Sequence, residues 1–105
     1  MNITISCCNR FIAVITKTHI FILENKNNHI VLQSFNLIDD FDITVQQQYN
    51  TNIYMDFAND PEFMFIIIDN NILLLNWRNG KHFKHCDKNI VAAYFTNEIP
   101  AFLRK

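Results

Sequence analysis

The chain has 105 residues and a net charge of −1, and half of its residues are hydrophobic, which is ample for the core of one small domain. Charged residues make up 18% of the chain, so it is not a disordered polymer, and their near balance excludes a basic footprint for nucleic acid. The longest apolar stretch, residues 63–75, is interrupted by Asp69-Asn70-Asn71 and falls short of the ~20 residues of a membrane helix, so we expect no membrane span.

The first third of the chain is dominated by strand patterns. Apolar or alternating runs bounded by turn residues predict strands over residues 3–8, 11–15, 19–23 and 29–35. The second and third of these strands form a hairpin, and the Asn-rich cluster after the third predicts a turn.

The middle of the chain is expected to be a loop that leads into a second group of strands. Residues 37–52 are polar and loop-like, although the alternation of Ile43, Val45 and Gln47 suits one edge strand. The segments that follow predict strands over 53–57, 63–68, 72–75 and 82–86, with turns at Pro61 and at Asn79-Gly80.

The C-terminal segment admits two interpretations. The spacing of apolar residues over 90–99 fits a helical stripe, but residues 92–98 also resemble residues 54–60, within the stretch that begins at Ile53, at an offset of 38. The strand interpretation is preferred because the same order of elements then recurs, with one more strand from Ala101.

A strand-turn-strand unit occurs twice. Residues 11–25 align without a gap on residues 63–77, at an offset of 52, and apolar positions coincide through both strands. In the second copy consecutive residues are apolar, so both faces of those strands need burial. A two-layer sandwich would instead show alternation, whereas stacked blades bury both faces of each sheet.

The end of the second hairpin carries a motif. In residues 72–81 a run of apolar residues leads to Trp77-Arg78, and Gly80-Lys81 follows a short turn. This pattern resembles a WD40-like β-propeller, in which the third strand of a blade often ends in Trp-Asp; here Arg78 takes the place of the Asp. The resemblance covers unit 1 (about 3–36), a loop (37–52), unit 2 (about 53–87) and a partial unit 3 (about 90–105). It implies an all-β partial propeller, a single repeat domain; a β-sandwich or small barrel is the alternative.

Three potential metal ligands lie close together in sequence. His82, His85 and Cys86 are residue types that bind zinc. On a strand, however, His82 and Cys86 share one face while His85 points to the other. A solvated outer strand is the preferred interpretation, and a small metal-binding or hydrolytic protein is the second alternative.

Catalytic motifs are not found in the sequence. Asp39, Asp40 and Asp42 are expected in a solvated loop, and Ser6 and Ser34 lack a nucleophile context. A single glycine permits no phosphate loop. The remaining acidic residues Asp56, Asp60 and Asp69 are expected at turns and strand ends. We therefore expect no catalytic residue, no metal and no cofactor, and hence no enzyme.

The aromatic and cysteine residues bear on partners and location. Trp77, Tyr94, Phe95 and Phe102 are expected in the core, the alternative being an exposed binding set. The three cysteines, of which Cys7 and Cys8 are adjacent, form no disulfide framework, so an intracellular protein, cytoplasmic or nuclear, is expected.

The WD40-like resemblance implies a non-enzymatic protein–protein interaction or scaffold module within a larger complex. Because a little over two units leaves a blade face uncovered, we expect a protein partner, of a different kind from this chain, that completes or caps the β-assembly. The alternative is a self-contained structural β-sandwich subunit. The sequence does not specify a small-molecule ligand.

Overall fold

A computed structural model describes residues 2–5, 8–45, 53–86, 90–96 and 99–104. Within these residues three antiparallel sheets follow one another, and the predicted all-β class is confirmed. Each sheet is an up-and-down meander in which neighbours in sequence are neighbours in space. The elements are β1 Asn2–Ile5, β2 Phe11–Ile15, β3 His19–Glu24, β4 Val31–Asn36, α1 Leu37–Phe41, β5 Ile53–Phe57, β6 Phe63–Ile68, β7 Asn71–Asn76, β8 His82–Cys86, β9 Ile90–Thr96 and β10 Ile99–Arg104.

The two predicted hairpins are confirmed, and they belong to different sheets. Strands β1 to β4 form sheet 1, β5 to β8 form sheet 2, and β9 with β10 forms sheet 3. Residues 90–96 are a strand, which resolves the ambiguity between helix and strand. The largest shifts from the predicted strand bounds are at the end of β1, which lies at Ile5, and at the start of β4, which lies at Val31 because His29 takes a left-handed φ of 45°. The other strands of sheets 1 and 2 differ from prediction by at most one residue at an end.

The first strands of the three sheets run side by side. Cα atoms of β1 lie within 8 Å of β5, and those of β5 lie within 8 Å of β9. Face-to-face sheets are otherwise separated by about 10 Å, so the sheets approach most closely along these first strands. The arrangement is a succession of sheets whose first strands lie together.

Sheets 1 and 2 enclose the main core between them. One face of the hairpin β2–β3 of sheet 1 points into this core. One face of the hairpin β6–β7 of sheet 2 lines the core from the opposite side. We call the face of sheet 1 that points into this core the front face of sheet 1, and the opposite face of the same sheet its back face. The core side chains of these four strands are Phe11, Ala13, Ile15, Ile20 and Ile22 from sheet 1 and Met64, Ile66, Ile68, Leu73 and Leu75 from sheet 2.

A second, smaller core lies on the other side of sheet 2. Phe65, Ile67 and Ile72 are buried there, with Leu74 packed against them. Strand β6 is thus buried on both faces, as its unbroken apolar run predicts. Leu74 is only half-buried, so the second face of β7 is covered less completely than the sequence suggests.

The prediction of a loop from residue 37 is wrong at its start, where α1 forms one turn of helix. Asn36 caps it, since its Oδ1 accepts hydrogen bonds from the N–H groups of Ile38 and Asp39, both at 3.0 Å. Asp42 ends it in the left-handed conformation, and its N–H donates to the Ile38 carbonyl at 2.9 Å. The expected edge strand is also absent from the described residues 42–45, because Ile43 is buried against the core instead.

The turn between β7 and β8 requires a glycine. Gly80 has a φ of 78°, and its N–H donates to the Asn76 carbonyl at 2.9 Å. The Asn76 side chain also accepts hydrogen bonds from the N–H groups of Arg78 and Asn79. A Cβ at residue 80 would meet nothing within 4 Å, so only the backbone conformation disfavours other residues.

We expect Gly80→Ala to lower the free energy of unfolding by ~1–2 kcal/mol, the cost of a left-handed conformation for an ordinary residue. Gly80→Asn should lower the free energy of unfolding by less, because Asn tolerates the left-handed conformation. Urea denaturation of the three proteins measures both effects. Equal midpoints for Ala and Gly would show that the turn does not hold this φ in solution.

Candidate interaction surface

The three potential metal ligands of β8 are divided between the two faces of the strand, with His82 and Cys86 on one face and His85 on the other. The His82 ring packs edge-on against Phe41, with centroids 4.8 Å apart, and its Nδ1 lies 3.1 Å from the Gly80 carbonyl. His85 is on the opposite face of the strand, stacked with Phe83 at 6.4 Å. Among the described residues no group of three His, Cys, Asp or Glu side chains could hold a metal ion. The strand is solvated along its whole length, as expected.

The acidic residues after β4 are exposed and serve α1. The Asp40 carboxylate accepts a hydrogen bond from the Asn36 N–H at 2.7 Å, and Asp39 lies in the first helical turn, where a negative charge is favourable. The Asp42 carbonyl accepts a hydrogen bond from Lys84 Nζ at 3.0 Å, which links the end of the helix to β8. The cluster therefore has a local structural role.

Asp56 departs from its predicted position at a turn or strand end, since it lies within β5 opposite Phe65, whereas Asp60 and Asp69 do occupy turns. Burial raises the pKa of the Asp56 carboxyl, and a hydrogen bond accepted from the Phe57 N–H partly lowers it. A raised pKa means that folding favours the protonated form. The stability that this form gives is present at low pH and is lost as the pH rises through the folded-state pKa.

We expect Asp56→Asn to raise the melting temperature at about pH 7, because the amide removes a half-buried charge and keeps an oxygen to accept the Phe57 N–H. At about pH 3, where the wild-type carboxyl is protonated in both states, the gain should vanish. Thermal melts at the two pH values test this. A gain of the same size at both would mean that charge is not its cause.

Trp77 belongs to the core, as the sequence predicts, and it packs between sheets 1 and 2. It is 1% exposed, its ring meets the edge of Phe11 at 5.1 Å, and its Nε1 donates to the Pro61 carbonyl. Arg78 covers the ring at 4.7 Å and pairs with Glu62, Nε to Oε1, at 2.8 Å. The side chains of Tyr94, Phe95 and Phe102 lie outside the described residues.

The back face of sheet 1 is apolar and incompletely covered. Register pairs Val14 with Phe21 on this face, and the side chains along it are half-buried although the front face is fully buried. Phe21 also stacks with His19 at 5.6 Å. The apolar residues of this face in β2 to β4 are Ile12, Val14, Phe21, Leu23 and, as the register partner of Leu23, Val31; Ser34, the register partner of Phe21, is polar and exposed on the same face.

Exposure increases towards the outer strand β4. Val31 is 53% exposed, and its neighbours Ile30 and Leu32 are 55% and 40% exposed. Large aliphatic side chains in a contiguous exposed group are typical of a surface that contacts another molecule. The back face with the start of β4 is therefore the candidate interaction surface.

Sequence reasoning expected an uncovered blade face without identifying its residues. The residues on both faces of β2 and β3 are apolar, so the periodicity of the sequence does not distinguish the front face from the back face. The repeat does not separate the two faces either, because the residues on both faces of the first hairpin have apolar counterparts in the second hairpin.

Comparison with protein-family models, with curated proteins and with solved structures found no match to this chain. The helix in the described part of the chain, α1, is too short to cross a membrane.

Proposed function

We propose that this chain is a non-enzymatic interaction or scaffold module of propeller-like blades, an intracellular protein that docks a protein partner on the back face of sheet 1. The observation that carries the proposal is a difference between repeats. The hairpin positions on the back face are half-buried, whereas their counterparts in sheet 2 are buried against sheet 1. A face that is buried in one copy of the unit and open in the other can accept a partner.

The direction of stacking supports blades over a sandwich. Phe11, Ala13 and Ile15 face sheet 2, but their counterparts 52 positions later face away from sheet 1. In a sandwich of two units related by a two-fold axis, equivalent residues would face each other. Front-to-back stacking is how successive blades of a propeller pack, and the side-by-side first strands fit the same arrangement.

A matched pair of variants tests the docking role. Val31 and Ile38 are exposed to almost the same extent, 53% and 54%, but only Val31 belongs to the back face. Tagged wild type, Val31→Asp and Ile38→Asp would be used to isolate bound proteins, with an untagged copy of the chain present. We expect that wild type and Ile38→Asp retain a bound protein that Val31→Asp does not retain. This bound protein can be the untagged copy of the chain. Identical sets for both variants would contradict the proposal.

A further inference from the structure

We propose that the outer edge of β8 is a second interaction surface, which binds an acidic extended segment of another protein as an added strand of sheet 2. The inference goes beyond the proposed function, because β8 belongs to sheet 2 and not to the back face of sheet 1. In this kind of recognition the backbone of the edge strand supplies the hydrogen bonds, and its side chains supply the selectivity.

The backbone of β8 offers hydrogen-bonding groups on the side away from β7. The Asn76 N–H donates to the Lys81 carbonyl at 2.8 Å, and this is the first hydrogen-bonded pair of the β7–β8 ladder. Such pairs alternate with pairs whose backbone groups point away from the neighbouring strand. The residues of β8 that direct N–H and C=O groups outwards are therefore His82, Lys84 and Cys86. All of β8 is exposed, so an added strand has access to these groups.

The outer strand of sheet 1, in contrast, is closed by its own side chains. In β4 the outward N–H groups are those of Ser34 and Asn36. The first donates to Gln33 Oε1 at 3.3 Å, and the second donates to the Asp40 carboxylate at 2.7 Å. The register of β3 and β4 also shifts beside Leu23, and bulges are one way in which edge strands avoid further pairing. The register of β7 and β8 is continuous, so within the described residues β8 is the more open of these two edges.

The charges around β8 favour an acidic partner over a second copy of this chain. Residues 81–88 contain three lysines and one aspartate, a net charge of +2 in a chain whose net charge is −1. Two such edges would repel each other, and a lysine such as Lys84 on an edge strand opposes self-pairing. A carboxylate opposite it on an added strand is favourable. The Asp42 carboxylate lies 4.0 Å from Lys84 Nζ but is 97% exposed, so this weak ion pair does not cancel the charge of the strand.

The two faces of β8 specify the pattern of the partner segment. Lys84 lies on one face of the strand, and Phe83 lies on the other face, 61% exposed and stacked with His85. The side chains of an added strand also alternate between the two faces. Acidic residues of the segment would then lie beside Lys84 and β-branched residues beside Phe83, and both kinds of cross-strand pair are favourable. The segment that fits the edge alternates acidic and β-branched residues.

Fluorescence anisotropy with a labelled ten-residue peptide of alternating Glu and Val tests the inference, and a peptide of alternating Lys and Val is the control probe. We expect the wild type to bind the acidic peptide about fivefold more tightly than the basic one, or better. Lys84→Glu should reverse this preference. Lys17→Glu makes the same change of charge in an exposed turn of sheet 1 and should preserve the preference.

A second pair of variants tests the role of the backbone. Cys86→Pro removes an outward N–H, whereas Cys86→Ala changes the same side chain and keeps the N–H. Proline is tolerated on an edge strand where its nitrogen faces away from the sheet. We expect Cys86→Pro to weaken binding of the acidic peptide about fivefold, the value of one hydrogen bond, and Cys86→Ala to leave it unchanged. Far-UV circular dichroism confirms that each variant is folded, and if Cys86→Pro unfolds, Lys84→Glu decides.

Three results would overturn the inference: no saturable binding of the acidic peptide up to about 1 mM, equal binding of the two peptides, or a preference that survives Lys84→Glu. Self-association of the wild type that is lost with folded Cys86→Pro would also contradict it, since the occupant of the edge would then be a second copy. Val31→Asp alters the back face and should bind the acidic peptide as the wild type does. Failure of the proposed function and failure of this inference are therefore distinguishable.

Discussion

Ile66→Asp and Ile67→Asp are each expected to abolish folding, although the two residues are neighbours in one strand and point to opposite faces. Ile66 is fully buried between sheets 1 and 2, and Ile67 is 5% exposed in the second core. A carboxylate at either position would lose its hydration without gaining a partner, at a cost of several kcal/mol. That is comparable to the whole stability of a small domain, ~5–15 kcal/mol.

Two controls make the comparison specific. Asn27→Asp lies in an exposed turn and should leave the melting temperature nearly unchanged. Ile12→Asp lies on the half-buried back face of sheet 1 and should cost less than either variant in sheet 2. Thermal melts and circular dichroism of the four variants provide the test. A folded Ile67→Asp would mean that the second core is not formed, and the chain would then be a two-layer sandwich.

The strands of the two hairpins, and the turns before and after the second hairpin, could be predicted because their causes are local. Gly80 adopts the positive φ that only a few residue types accept, and Pro61 sits at the second position of a turn closed by a hydrogen bond from the Phe63 N–H to the Asp60 carbonyl, at 3.0 Å. The unbroken apolar run from Met64 to Ile68 likewise required burial on both faces. These features need no knowledge of the rest of the chain.

Helix α1 could not be predicted because its stability depends on tertiary packing. One turn of helix gives too little periodicity to stand out, and three aspartates in six residues favour a loop. The helix forms because Leu37 and Phe41, one turn apart, are buried against the core and because Asn36 caps its start. The spacing of Leu37 and Phe41 would predict a helix only if the position of the core beside them were already known.

The identity of the open face was also beyond the sequence. Both faces of β2 and β3 are apolar, and the repeat shows which positions are equivalent but not which of them meet. The direction of stacking settles this, since it buries Ile15 and leaves Val14 half-buried. The separation of His82 from His85, in contrast, followed from strand alternation alone.

Trp77→Ala is expected to have the largest effect of any single truncation, ~3–5 kcal/mol. Two hydrogen bonds join this residue to the turn between β5 and β6, since its Nε1 donates to the Pro61 carbonyl and its N–H donates to the Glu62 carbonyl at 3.0 Å. A third links it to sheet 1, where Gln33 Nε2 donates to its carbonyl at 3.4 Å. Truncation keeps the backbone bonds but removes the ring that fills the space beside Phe11. Urea denaturation gives the loss in free energy.

Trp77→Phe separates packing from hydrogen bonding. It preserves an aromatic ring but leaves the Pro61 carbonyl without the indole donor, at a cost of about 1 kcal/mol beyond the lost volume. A double-mutant cycle of Trp77→Ala with Phe11→Ala then isolates the edge-to-face contact at 5.1 Å, for which we expect a coupling energy of ~0.5–1.5 kcal/mol. Because Phe11 belongs to sheet 1 and Trp77 follows the third strand of sheet 2, this coupling reports directly on front-to-back stacking. A coupling energy of zero, with both single variants destabilised, would mean that the two sheets do not meet at this contact in solution.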